Sequence, residues 1–325
     1  MTKNKITKAK LIFITIAVVL VFSFSGCATR VWNDNIAFES KAVNNTLNNI
    51  KSSGHMAYTD GKLYISLEKN LYEISGGKRK EIDTVSLNVD NKPYGATANY
   101  FNYNNELYAI PISDDTHVLM KYDSQKHEFT ESDLKINPHY GEFYLSDNLC
   151  VWRGHNWYDT YIRYNGEEYK IDNKSERFSV YNDIIYYITD SGELYSFNPL
   201  ETSRKSKFIK KLENGYVHEM YVTADHCYYL GTGGVYSYSF EKDTTKLITD
   251  YSIYNFSAVN DKLYISTEEN GLYCVEDNQI KKVCDINMSC IYSVDEEYLY
   301  TYNTYGNVYR IDIATETVEP IVETK

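Results

Sequence analysis

The sequence predicts an all-β fold, a β-propeller of about seven four-stranded blades with six as the alternative count, and three observations carry that expectation. A polar turn followed by an apolar residue and tyrosine recurs through the chain, a second apolar–tyrosine pair follows it closely, and tyrosine supplies 34 of 325 residues. A fixed repeat period decides architecture more firmly than local propensity, because each repeat buries its apolar faces only against its neighbours.

The first motif reads Asp60-Gly61-Lys62-Leu63-Tyr64, Asn104-Asn105-Glu106-Leu107-Tyr108 and Asn182-Asp183-Ile184-Ile185-Tyr186. It returns as Asp225-His226-Cys227-Tyr228, Asn260-Asp261-Lys262-Leu263-Tyr264 and Glu296-Glu297-Tyr298-Leu299-Tyr300, with a degenerate copy at Ser146-Asp147-Asn148-Leu149-Cys150. From Tyr64 onward the steps are 44, 42, 36, 42, 36 and 36 residues, around the roughly 40–50 of a propeller blade. The second motif, Leu71-Tyr72, Leu194-Tyr195, Val235-Tyr236, Leu272-Tyr273 and Val308-Tyr309, places its tyrosine 8 or 9 residues after the first. That gap predicts a hairpin of two short strands. A more polar strand follows in most units, as at residues 78–82, 246–249, 279–283 and 317–321, which suits an outer edge guarded by charge. In such a ring both faces of the middle strands are covered, and tyrosine gives apolar area together with a hydroxyl for the blade edge. Residues 45–50 are the expected closing strand of the last blade, against a weak helical spacing of Ile36, Val43, Leu47 and Ile50.

The N-terminus has the three-part pattern of an export signal: Lys3, Lys5, Lys8 and Lys10, an apolar run over residues 11–24, then Ser25-Gly26-Cys27. The run contains the polar Thr15 and Ser23 and falls short of the roughly 20 apolar residues that a membrane span needs. Phe24-Ser25-Gly26-Cys27 resembles the lipobox of bacterial lipoproteins, with Phe24 in place of the usual leucine. The resemblance implies that Cys27 receives a diacylglyceryl group and becomes the first mature residue. The expected domains are a lipoprotein signal peptide at 1–26, the lipidated cysteine and a tether at 27–44, and the propeller at 45–325. The alternative is an uncleaved anchor with an ordinary Cys27, and both readings put the propeller outside the cytoplasmic membrane. The expected location is the extracytoplasmic face of the cell membrane, with its outer leaflet as partner through the anchor. The wealth of Lys, Asn, Ile and Tyr resembles the usage of low-GC Gram-positive organisms.

The net charge is −12, and removal of a segment with four lysines and no acid leaves about −16, which argues against nucleic acid as a partner. Beyond Cys27 stand Cys150, Cys227, Cys274, Cys284 and Cys290, without metal-type spacing. Cys150 and Cys227 occupy repeat positions of core residues, and a disulfide among the other three is an open alternative in an oxidising compartment.

At Ile185-Tyr186-Tyr187-Ile188-Thr189-Asp190 and the following Gly192-Glu193-Leu194-Tyr195-Ser196-Phe197 the chain resembles the YWTD-type blade of low-density-lipoprotein-receptor propellers, with Ile188 in the tryptophan position. The segment over residues 45–66 is similar to the opening of bacterial exported propeller domains of unknown function. These resemblances imply a propeller with a binding or scaffolding role, often six-bladed, and bring no catalytic residue with them.

The most unusual local sequence is Trp152-Arg153-Gly154-His155-Asn156-Trp157-Tyr158-Asp159, in the hairpin of the third unit. Flat aromatic faces beside Arg, His and Asp suit a sugar ring or a peptide, so Trp152, Arg153, His155, Trp157, Tyr158 and Asp159 are the candidate ligand-binding residues. The alternative is that Trp152 and Trp157 fill a degenerate blade. Residues 111–116 form a second long hairpin loop in the neighbouring unit. Arg204, Lys205, Lys207, Lys210 and Lys211 make the one basic cluster, read either as a site for an anionic envelope surface or as an outer strand protected by lysines. His218-Glu219 lacks the second histidine of a zinc peptidase, and Gly231-Thr232-Gly233-Gly234 reads as a hairpin turn rather than a phosphate cradle. No catalytic residue, cofactor or metal is expected. The expected function is a non-catalytic binding or scaffolding module for a protein, peptide or glycan; the alternative is a carbohydrate-active propeller enzyme, a hydrolase or lyase, with carboxylates drawn from different blades.

Overall fold

The computed structural model describes residues 30–33, 36–37, 54–67, 70–84, 87, 98–111, 119–134, 143–154, 159–171, 174–214, 217–259, 262–267, 271–276, 279–286, 288–293, 297–303 and 306–324. Their sheets are seven antiparallel blades in a ring, so the fold is a seven-bladed β-propeller, and no α-helix occurs among the described residues. Each of the first six blades is a four-stranded meander in chain order. The degenerate third unit is a full blade, although its inner strand, Phe143–Leu145, is short.

The polar half of the first motif is explained by backbone geometry. Asn104 and Asn105, and again Asn182 and Asp183, both have positive φ, and Asp60 does so beside Gly61. Two-residue hairpins between right-twisted strands need that geometry, which Asn, Asp and Gly tolerate best. The second motif marks a different device. In the last four blades the pairing of third and outer strands slips by one residue between Leu194 and Tyr195, Val235 and Tyr236, Leu272 and Tyr273, and Val308 and Tyr309. Such a bulge increases the local twist and bends the edge away. Glycine opens this turn where the outer strand crosses closest. A Cβ on Gly234 would sit 2.1 Å from the Thr249 carbonyl oxygen, and one on Gly271 2.1 Å from that of Cys284.

Among the described residues the core is seven separate clusters, each built from two neighbouring blades. Tyr64 and Leu71 of the first blade meet Tyr100 and Leu107 of the second, Ile162 and Val151 of the third meet Tyr187 and Phe178 of the fourth, and so on around the ring. The seventh cluster joins last to first, with Tyr292, Tyr300 and Val308 against Met56, Tyr58 and Ile65. Successive residues of one strand serve opposite interfaces: Tyr229 packs toward the fourth blade and Tyr228 toward the sixth. Rings stack within these layers, Tyr187 on Tyr195 at 5.4 Å and Tyr229 on Tyr236 at 5.3 Å between centroids. Polar links join the blades near the axis. The Tyr100 amide donates to the Gly54 carbonyl at 2.7 Å, the Thr160 hydroxyl to Ser175 at 3.0 Å, and the Val222 amide to the Ser179 hydroxyl at 3.1 Å.

The ring closes differently from the expectation. The predicted closing segment, residues 45–50, lies outside the described residues, and the fifth strand of the seventh blade is Arg30–Trp32, from the stretch assigned to the tether. The reason lies in the strand that it covers. Val318–Thr324 carries the fully buried Ile321 and Val322, whereas other outer strands present lysine to water, as in Lys78–Ile82 and Lys207–Lys211. An apolar edge of this kind must be paired or covered. Beyond the strand, the Asn33 amide donates to the Ile321 carbonyl at 2.9 Å, Ile36 is buried between the last and first blades, and Arg310 donates to the Ala37 carbonyl at 2.7 Å.

Burial of so many phenols sets an alkaline limit. Burial, with Glu106 nearby, pushes the Tyr108 phenol up to about 12, and burial together with a hydrogen bond to Asp243 does the same to Tyr238. Burial drives Tyr64, Tyr100, Tyr229 and Tyr264 higher still. The unfolded chain releases these protons near the ordinary value of 10 while the folded chain keeps them, so stability falls as pH rises from about 10 toward 12. Absorbance at 295 nm should show one set of tyrosines ionising reversibly and a second ionising only with unfolding; simple titration of all of them near 10 would contradict this packing. Gly234→Ala, at φ +146° and against the Thr249 carbonyl, should destabilise by more than about 2 kcal/mol in urea unfolding.

Candidate functional site

Strand alternation sorts the connections onto two faces. Turns between first and second strands, and between third and fourth, lie on one face; connections between second and third strands, and crossovers to the next blade, lie on the other. Chain length is unevenly spread over that second face. The crossovers from the first to the second blade and from the second to the third take residues 83–97 and 132–142, whereas that from the fifth to the sixth takes 250–252. Between second and third strands, the second and third blades take residues 112–119 and 154–159, against 68–69 in the first and 232–233 in the fifth. The extra chain is thus gathered over one sector, and loops on a rigid scaffold are where recognition is usually built.

The predicted site residues divide at the rim of this sector. His155, Trp157 and Tyr158 lie outside the described residues, as do Cys27 and residues 112–118. Trp152 is 6% exposed and belongs to the core between the second and third blades, beside Phe143, Cys150 and Phe101. Its ring stacks on Tyr161 at 5.7 Å with 16° between planes, and the Arg163 guanidinium lies 5.4 Å from its centroid. Arg153 is buried, pointing to the other face of the same strand, and Gly154 passes so close under Tyr161 that a Cβ would sit 2.4 Å from the ring. Asp159 pairs with Lys170 of the outer strand at 2.7 Å, and its carbonyl accepts from the Gly154 amide at 2.8 Å. The bonded pair Gly154–Asp159 pins the base of the 155–158 connection, with Trp152 acting below it as foundation.

Toward the axis, the inner strands begin on this same face, and near their starts lie polar residues and a cysteine that no linear motif marks. Asn99, Arg177, Glu219, Asn255 and Cys290 stand there on the second, fourth, fifth, sixth and seventh blades. Arg177 Nε donates to the His218 carbonyl of the next blade. His55, before the first inner strand, stacks on Tyr302 of the last blade at 5.5 Å, and burial holds its imidazole below the ordinary value. Burial, with some help from Glu219, pushes the Cys290 thiol up. Among the described side chains of the inner strands Glu219 is the one carboxylate, so these do not form the facing pair that glycosidases use.

On the opposite face a cavity of about 290 Å³ opens between the second and third blades, beneath the Ser146-Asp147-Asn148 and Asn165-Gly166 turns. Tyr103, Leu134, Leu145, Cys150 and Arg163 line it. Burial pushes the Cys150 thiol up to about 12, so it is a neutral, unreactive wall. Cys150 and Cys227 are buried core residues, and the alternative of a disulfide farther on is not realised: Cys274, Cys284 and Cys290 are free thiols. Cys284 pairs in register with Leu272, and Cys274 with Lys281, which keeps the two apart.

The basic cluster works largely within the ring. Arg204 reaches Glu167 of the third blade at 2.5 Å and lies over Tyr169, and Lys210 reaches Asp243 of the fifth at 2.9 Å. Lys211 donates to the Ser191 carbonyl at 2.5 Å. The first two are exposed staples between blades, weakened by solvent, and the third is a bond within the fourth blade. Glu219 lies in a strand and Gly231 to Gly234 in a tight strand turn, as expected.

Comparison with known proteins agrees on the fold. PorZ, described as an essential bacterial surface component of the type-IX secretion system of Porphyromonas gingivalis, superposes with a TM-score of 0.60 at 12% identity, over 84% of this chain. This chain spans only 38% of that protein's length. The computationally designed Ika8 protein matches over 86% of this chain and 99% of its own, with a TM-score of 0.52 and 9% identity. Kluyveromyces lactis Hsv2 matches over 88% and 98%, with a TM-score of 0.50 and 13% identity. At such identities the likeness is one of fold. No family model matches the sequence, and no curated protein matches it.

Trp152→Ala should cost about 3–5 kcal/mol in chemical unfolding, as for a large aromatic removed from a core. A loss below about 1 kcal/mol would mean that the ring is not holding the second and third blades together.

Proposed function

We propose that this chain is a lipid-anchored protein of the extracytoplasmic membrane face whose propeller is a non-catalytic binding or scaffolding module for a protein, peptide or glycan. The observation that carries the reading is the gathering of long connections over the second and third blades on one face of a stiff ring. Both blades are locked by a shared aromatic core, so the loops start from fixed positions and lose less entropy on binding. His155 and Trp157, aromatic groups suited to a flat ligand face, fall in the chain between Gly154 and Asp159, whose amide–carbonyl bond ties the two ends together. The anchor rests on the lipobox-like Phe24-Ser25-Gly26-Cys27. PorZ, a surface component, uses the same fold, and the reading here stands on the loops and the motif rather than on that likeness.

Two measurements test the two halves. Labelled palmitate should enter the wild-type chain and not Cys27→Ala, and equal labelling would remove the anchor. Envelope fractions and arrayed glycans should be captured by wild type and lost at least tenfold, about 1.4 kcal/mol, by Trp157→Ala or His155→Ala, with unchanged circular dichroism. Retained capture, or turnover of an arrayed glycan, would overturn the non-catalytic binding reading.

A further inference from the structure

We infer that the outer edge of the seventh blade, with the adjoining edge of the first, rests on the lipid headgroups, so that the ring is held short and in a fixed orientation rather than swinging on a tether. The inference rests on the proposed lipidation of Cys27. Only Ala28 and Thr29 separate that residue from Arg30, which pairs with Thr324 at the rim. Three Cα–Cα steps of 3.80 Å limit the span to about 11 Å. The headgroup layer takes up roughly 5–7 Å of it, half the difference between total and hydrocarbon thickness. A free tether over residues 28–44 would instead have a root-mean-square reach of about 20 Å or more.

The strand is not a loose end that peels away under the anchor. Trp32 packs tilted against Tyr72 of the first blade, with ring centroids 4.9 Å and planes 57° apart, and the Arg79 guanidinium lies 4.5 Å from the Trp32 ring centroid. The Asn33 and Ile36 contacts lock the next residues, so lipid attachment acts on a sheet and not on a coil. The chemistry of this corner suits a bilayer surface. Trp32 lies beside Arg79 of the first blade's outer strand, where Lys78 and Lys80 are also exposed but Lys80 turns to His127 of the second blade, and Val31 is 40% exposed. Glu81, Glu319 and Glu323 are the carboxylates on the same strands. The Trp32 indole and the Arg30 and Arg79 guanidiniums are side chains that suit a headgroup layer.

The orientation also has a consequence for recognition. In a ring of seven, the third blade lies across the axis from a contact made at the seventh and first while the second stands at its side, so the third-blade end of the loop-rich sector is held off the bilayer.

The test uses the full lipidated protein in phosphatidylglycerol–phosphatidylcholine vesicles containing a headgroup-nitroxide lipid. Mass spectrometry of the N-terminal peptide first establishes whether Cys27 carries diacylglycerol; an unmodified Cys27 removes the anchor and this inference with it. With the lipid present, a variant keeping only Trp32 (Trp152→Phe, Trp157→Phe) should be quenched, and one keeping only Trp157 should not. Insertion of about 20 Gly/Ser residues after Ala28, with a reach of about 25 Å, should abolish quenching of Trp32 while the protein stays on the vesicles. In the wild-type chain, hydrogen exchange on vesicles should slow for residues 30–33 and 78–82 and stay unchanged for 167–170 and 207–211, which keeps the test open should the tryptophan variants fail to fold. Lipidated protein with unquenched Trp32, or with quenching indifferent to the insertion, overturns the short docking while leaving the anchor in place.

Discussion

No blade of this ring can hide its own two faces, and the whole architecture follows from that constraint. A four-stranded sheet with apolar residues on both sides is insoluble alone and stable only between two others. The seven clusters, each shared between neighbours, are the physical form of this dependence, and the last of them, between Tyr292 and Met56, turns a stack into a closed wheel. Cooperativity therefore extends around the ring, because opening one interface exposes two faces at once. Each buried aromatic contributes about 1.5–3 kcal/mol, and placing such residues on alternate sides of the second and third strands spreads that stabilisation over all seven joints.

Tyrosine rather than phenylalanine dominates because the joints widen toward the rim. A phenol offers apolar area to the layer and a hydroxyl to its edge, as when Tyr229 donates to the Glu213 carbonyl at 3.2 Å and Tyr236 to the Thr232 carbonyl at 3.0 Å. Nearer the axis the sheets converge, and short polar side chains such as Ser179 and Thr160 take over the joining. At the periphery Arg204, Lys210 and Lys281 reach carboxylates of a neighbouring blade. The gradient from hydroxyl links through aromatic layers to ion pairs follows the gap between blades, from tight and dry to open and wet.

The fold was legible because the period is carried by chemistry that cannot be exchanged freely. Asn104-Asn105 and Asn182-Asp183 must adopt positive φ, and the buried Leu-Tyr and Val-Tyr pairs must span a bulge, so both leave marks in the sequence. Even the third blade, where Cys150 replaces tyrosine, kept the turn and the spacing. Closure was less legible, since Arg30-Val31-Trp32 has no turn motif before it and its partner, rather than its own composition, calls for a strand there. The site was legible only in outline. The steps of 44 and 42 residues after Tyr64 already carried the long crossovers into the second and third blades, but the third blade's 154–159 connection falls in a step of 36, and no linear pattern marks Trp152 as a buried foundation. Asn99, Arg177, Glu219, Asn255 and Cys290 stand near the starts of inner strands on five blades, a relation that no linear pattern reveals.

Closure and presentation are two results of one strand. The apolar outer strand of the seventh blade needs a partner, and the chain supplies it from the N-terminal side, within three residues of the lipobox-like cysteine. A seal placed at either end of a long tether would protect the edge equally well, but it would leave the ring free to turn against the surface. Under the proposed lipidation of Cys27, sealing with the neighbouring residues couples the two demands, because the pull of the anchor would be delivered into a hydrogen-bonded sheet backed by Trp32, Tyr72 and Arg79. Stiffness of the wheel would then carry that orientation through the aromatic joints to the second and third blades, where the long connections lie. The proposed recognition would gain from that fixed aim, since loops on a rigid body search fewer orientations before meeting a partner.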